Sequence, residues 1–255
     1  MKAYGIVLIA FFNSFQSFAQ FEIGPKIGFQ TFKTVFNYSP DKDIYKSKFR
    51  VGYKFGGLIK VDLKPSFDLM ADLTYARRGR SIEIRESRLT NIGKYNYIES
   101  SMMLRYKFEE LQYEGINYRI FVGLGPNFGY WINGKGEFGS KNGPTKEYKV
   151  VFGPDPINTE TMNLVNTNRA QWGMDIGVGA IIEVNGPQKL IVDLRFTLGH
   201  TFLGDENSAS IPILDFSDNL EANYRIISFS LAYVFEIDVS QLKQGKSTVK
   251  KRKQR

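Results

Sequence analysis

The chain has 255 residues, no cysteine, one histidine and a formal charge of +8. Without cysteine there is no disulfide framework and no thiolate metal site. Lys243, Lys246, Lys250, Lys251, Arg252, Lys253 and Arg255 lie in a stretch from residue 240 with no acid, and with Lys2 they account for the whole excess. The remaining chain is electrically balanced, which argues against a nucleic-acid partner, since that needs a basic face on the folded domain.

The first nineteen residues read as a secretory signal. Lys2 precedes the apolar run 3–12, and the small residues Ser17 and Ala19 precede a cut before Gln20. The run is shorter than the roughly 20 apolar residues of a spanning helix. No other segment approaches that length, so a membrane-embedded form of this chain must cross with strands.

From residue 21 the dominant signal is a period of two. Phe21, Ile23, Ile27 and Phe29 alternate with Glu22, Lys26 and Gln30. The pattern returns over 49–63, where Lys54 and Lys60 oppose an apolar series, and over 67–78, where Asp72 and Arg78 do so. It returns again over 97–108 with Glu99 and Arg105, and over 119–132 and 172–184 with several glycines in the polar series. It closes with 189–202, carrying Asp193 and Arg195, and 225–235, where serines alternate with apolar residues. Alternation over such lengths predicts strands, because successive side chains point to opposite faces. Eight strands are predicted. Long polar connections are expected at 37–47, 86–94, 134–168 and 204–222, and shorter ones at 64–66, 109–117 and 185–188.

Eight amphipathic strands with alternating long and short connections predict an all-β fold, an eight-stranded antiparallel up-and-down transmembrane barrel of the outer membrane. The expected division is a signal over 1–19, a barrel over 20–238, and a basic, disordered periplasmic tail over 239–255. The alternative is a soluble lipocalin-like ligand binder with its apolar series inside. Small residues in the polar series suit a narrow lumen, and aromatics near the ends of the apolar series suit interfacial girdles, so the membrane barrel is preferred. A barrel of eight strands is just wide enough for side chains to fill. Glu22, Lys26, Lys54, Lys60, Asp72, Arg78, Glu99, Arg105, Asp193 and Arg195 are then expected to form a lumen salt-bridge network, because an unpaired buried charge is too costly.

Several segments resemble the PorT-like outer-membrane β-barrel proteins of Gram-negative bacteria. "FEIGPKIGF" looks like that family's first strand, and "FDLMADLTYARRG" its third, with Asp72, Arg78 and Gly79 at the acid, base and glycine places. "YIESSMMLRY" resembles the fourth, with Glu99 and Arg105, and with Ser101 where the family often has proline. "FVGLGPNFGYW" and "RIISFSLAYVF" also fit. The resemblance implies an eight-stranded barrel and leaves the function open.

Enzymatic chemistry finds little footing. Nucleophilic catalysis usually needs a base beside the nucleophile, and the single His200 falls in the outward series. Asp68 and Asp72 can be read as an acid pair, but lumen cations account for them. No catalytic residue, cofactor or metal is expected. The expectation is a non-enzymatic barrel with a plugged lumen, structural or partner-binding through its long outer loops; a lipid-active enzyme is the alternative. Expected partners are outer-membrane lipid and a periplasmic or extracellular protein. Lys33, His200 and Arg225, all outward and near the outer ends of their strands, are the candidate lipopolysaccharide contact, and Arg77 lies at similar height but too far round to join them.

Overall fold

The computed structural model describes residues 20–36, 44–86, 88–140, 143–153, 160–185, 187–205, 209–211 and 216–238. The expected signal and the basic tail lie outside these residues. In chain order the strands are β1 (Gln20–Phe36), β2 (Tyr45–Ser47), β3 (Arg50–Lys64), β4 (Phe67–Ile84), β5 (Leu89–Tyr113), β6 (Ile116–Ser140), β7 (Thr145–Phe152), β8 (Thr161–Leu164), β9 (Ala170–Asn185), β10 (Gln188–Gly199), β11 (Ala209–Ile211), β12 (Phe216–Asp218) and β13 (Ala222–Asp238).

Eight of them close a ring. β1, β3, β4, β5 and β6 pair in turn, β6 pairs β9, β9 pairs β10, and β10 pairs β13, which returns to β1. Every pairing in the ring is antiparallel. Each ring strand covers one of the eight alternating segments. Closure pairs every ring strand on both sides through the body of the barrel, the condition for strands to cross a bilayer.

The connections differ from the expected ones. Only residues 85–88 separate β4 from β5, so the polar stretch 86–94 is largely strand. Within 109–117 the strands run almost to the tip. Tyr113 pairs Ile116 across a two-residue turn in which Glu114 (φ 50) and Gly115 (φ 81) both have positive φ. That is the mirror-image turn whose twist matches a hairpin. The stretch 134–168 continues β6 and contributes β7 and β8, which pair in parallel. The stretch 204–222 contributes β11 and β12. β4, β5 and β6 thus rise past the ring and carry β7, β8, β11 and β12 as an annex at the loop end. The 18 residues of β4 and 25 each of β5 and β6 exceed the roughly 9–11 that a tilted strand needs to cross.

The apolar series points out. Ile27 (61% exposed), Phe29 (62%), Val51 (75%) and Leu73 (60%) have no protein over them. At the turn end this face carries exposed Phe67, Tyr106, Phe108 and Phe235, and toward the loop end Phe128, Tyr130 and Trp172. An apolar wall with aromatics toward both margins fits a bilayer, where aromatic rings sit at the headgroup level. A soluble barrel would bury this series, so the lipocalin-like alternative falls.

Candidate functional site: the lumen and the outer rim

The polar series points inward and fills the barrel. All ten residues named for the lumen are at most 7% exposed. At the turn end Glu22 receives Lys60 at 2.9 Å and Lys189 at 2.6 Å. Asp62 holds Lys60 at 3.2 Å and also Lys107. Arg105 grips Asp68 with two parallel bonds, Nε to Oδ1 at 2.6 Å and Nη2 to Oδ2 at 2.9 Å. Its guanidinium lies 4.3 Å from the Phe121 ring centroid. Such bidentate pairs are the strong, directional form of the ion pair.

Midway along, Lys26 bridges Asp72 (2.8 Å) and Asp193 (3.0 Å). Arg195 bridges the same two acids, at 2.9 Å each. Lys54 donates to Ser228 Oγ at 3.1 Å. Asp175 accepts from Ser101 (2.8 Å), Asn127 (3.2 Å) and Thr197 (2.5 Å). Above them Arg78 meets Glu99 at 2.6 Å and lies over the Tyr97 ring. Asp68 and Asp72 are thus each committed to cations. Ser101, where proline occurs in the similar family, keeps a continuous register opposite Asp72 and Asn127 and supplies a hydroxyl to this network.

Room for Arg105 and Arg195 comes from missing side chains. One cross-barrel row reads Asp68, Arg105, Gly123, Gly177, Arg195, Ser228. A Cβ on Gly123 would meet Arg105 Cγ at 2.8 Å, and one on Gly177 would meet Arg195 Cγ at 3.2 Å. Each arginine stem lies over a glycine of the neighbouring strand.

Toward the loop end the inward series changes chemistry. Phe32, Tyr95, Tyr97, Trp131, Tyr224 and Ile226 form an apolar roof over the charges, joined by Tyr148 and Val150 of β7, Met162 and Leu164 of β8, and Leu203 and Leu220. Trp131 is fully buried, with ring centroids of Tyr95 at 4.4 Å and Phe152 at 5.2 Å. The cavities at the two ends of this stack are small: about 100 Å³ among the charges at the turn end and about 20 Å³ beside Arg78.

At the outer rim Lys33 and Arg225 are direct cross-strand partners on β1 and β13. Lys33 is half-buried with its Nζ 5.4 Å from the Phe49 ring centroid, and Arg225 is exposed. His200 is exposed one strand further round, its ring stacked on Trp172 at 4.8 Å. Arg77 lies outward on β4, separated from Lys33 by β3. Alternation puts Asp68, Asp175 and Ser101 in the inward series without singling them out. The roof residues of β7 also had a signal, in the alternation of Tyr148, Val150 and Phe152.

A closed antiparallel ring with an apolar exterior and a charged, filled interior defines an outer-membrane β-barrel. The family described as "Outer membrane protein beta-barrel domain" matches residues 15–201, and the chain belongs to it. OprG of Pseudomonas aeruginosa shares the fold, with a TM-score of 0.52 at 7% identity over 86% of this chain and 96% of that one. Ail, the attachment invasion locus protein of Yersinia pestis, gives 0.39 at 11% identity over 85% and 98%. Neisserial surface protein A gives 0.37 at 12% over 84% and 96%. No curated protein matches the chain.

Proposed function

We propose that this chain is a non-conducting, non-enzymatic outer-membrane barrel of PorT-like kind, whose role is structural or partner-binding. The observation that carries the reading is the stack inside it. Paired charges span the lumen, and an apolar roof covers them. An ion crossing this path would have to part several buried pairs, and separating even one such pair costs about 3–5 kcal/mol. The strands that rise beyond the ring offer a rigid surface for an extracellular partner. His200, stacked outward on Trp172 and away from the acids, supports the non-enzymatic reading. Lys33, Arg225 and His200 at the outer rim fit contact with lipopolysaccharide, where cations are tolerated near the headgroups and can pair with phosphate.

The test is conductance. Purified protein inserted in planar bilayers should give no stable single-channel steps. Sustained, large currents would overturn the plug.

A further inference from the structure

The ring is not equally laddered on both sides of β1. Its pairing with β13 runs out to Phe36, opposite Ala222. Its pairing with β3 stops at Phe32, opposite Arg50. The next strand on that side, β2, pairs β4 instead. Residues 33–36 therefore show β2 an edge with no strand partner among the described residues. Residues 37–43, which link β1 to the stretch before β2, lie outside the described ones.

A cavity of about 360 Å³ occupies this seam, and its lining includes Lys33, Lys46, Arg85, Thr34, Ser47 and Val35. Lys33 and Lys46 bring positive charge to it, and among the described residues no carboxylate lines it. Glu83, opposite Lys46 in the β2–β4 ladder, is bound to Lys48. Lys33 also faces Arg225 directly across β1 and β13, an arrangement that like charges disfavour. Two hydroxyls in the lining, Thr34 Oγ1 and Ser47 Oγ, are buried without a hydrogen-bond partner among the described residues, and Thr34 is 1% exposed. A buried hydroxyl left unmatched is itself costly. An anion rich in acceptor oxygens answers both deficits. Beside the seam, Phe49 (65% exposed) and Val51 (75%) continue the lipid-facing wall.

We propose that the β1–β2 seam binds the phosphate of a phosphorylated lipid in the outer leaflet. Lys33 and Lys46 supply charge, Thr34 and Ser47 donate hydrogen bonds, and the acyl chains lie along Phe49 and Val51. The apolar wall next to the cations favours a phosphate carried on a lipid over a free one. The inference rests on the membrane-barrel reading and goes beyond the rim contact at Lys33, Arg225 and His200 by naming a cavity and its donors.

The experiment uses the full chain in phosphatidylcholine vesicles, alone, with lipid A, with lipid A stripped of its phosphates, or with inorganic phosphate. Folding of each variant is verified by heat-modifiability on gels. Lipid A should raise Tm by about 5 °C, the scale expected at roughly a hundredfold excess over Kd for a domain of this size. Stripped lipid A and inorganic phosphate should leave Tm unchanged. Lys33→Gln/Lys46→Gln should abolish the rise, and Thr34→Val, close to isosteric, should cut it by about half through loss of one bond. Arg77→Gln, outward but beyond the seam, should keep it. An equal rise with stripped lipid A, or a rise that survives the double variant, overturns the proposal. A rise with inorganic phosphate alone overturns the lipid source. Conductance on the same samples separates this from the plug: a conducting protein that still responds to lipid A sinks only the plug, and a silent one that does not respond sinks only the seam.

Discussion

The lower lumen and the roof close the same tube with opposite chemistry. Below, Arg105 with Asp68, and Lys26 and Arg195 with Asp72 and Asp193, fill space by pairing charges away from water. Above, Trp131, Tyr95, Tyr97 and Tyr148 fill it by packing rings. The difference is one of fault tolerance. A charged layer loses most when one partner goes and the other stays, because the survivor is buried alone. A ring layer loses in proportion to the volume removed. The charged layer also ties strands together in specific pairs, whereas the roof accepts whatever apolar side chain fills it.

The largest expected effects begin in the charged layer. Arg105→Met takes both short bonds from Asp68, whose side chain is fully buried and keeps only Lys107 at 3.8 Å, and should cost about 3 kcal/mol. Urea unfolding of protein refolded in detergent measures it. Adding Asp68→Leu should recover most of the loss, since a well-packed apolar pair can replace a buried ion pair. No recovery would show that the pair does more than fill and neutralise. Next comes the roof. Trp131→Ala should cost about 3 kcal/mol by the same assay. Here Trp131→Phe should restore part of the loss, and no change at Asp68 should, because Asp68 and Trp131 share no partner. If the roof variant instead cost nothing, the upper cluster would be a loose lid and the contrast would collapse. The smallest effect belongs outside both. Lys94 and Glu137 pair at 3.0 Å with both side chains about a third exposed. Lys94→Gln should shift stability by no more than about 0.5 kcal/mol, and that little should fade in high salt.

The ring was legible because its signal is local. Period two needs only neighbouring residues, and a strand that faces lipid on one side and a filled lumen on the other shows both. The inward placement of Lys26, Asp72 and Asp193 follows from it. Their pairing does not, since Lys26 meets acids 46 and 167 residues away, and the register of the closed ring decides which residues share a level. The long polar connections misled for a different reason. The stretch 134–168 is polar on average, yet Tyr148, Val150, Met162 and Leu164 turn inward to the roof while Lys146 and Lys149 stay exposed. Leu203, beside Phe202, and Leu220, alone among polar residues, have no period to mark them. The turn at Glu114–Gly115 was carried by one glycine inside a charged stretch, too small a mark against the expected longer loop.

The bridge of Lys26 to both Asp72 and Asp193 has a consequence for how the molecule is made. Its three residues sit on β1, β4 and β10, and β13, the last described strand, lies between β1 and β10. Contacts so distant in sequence make for slow assembly. Until β1 and β13 zip together, Lys26 and Asp193 face each other across an open, wet trough and gain almost nothing. Zipping expels the water and strengthens the interaction at a stroke. A slip of one residue at that joint would set the inward series of β1 against the outward series of β13. The lysine thereby works as a proofreading latch, rewarding the sheet only when its two ends meet in the right register.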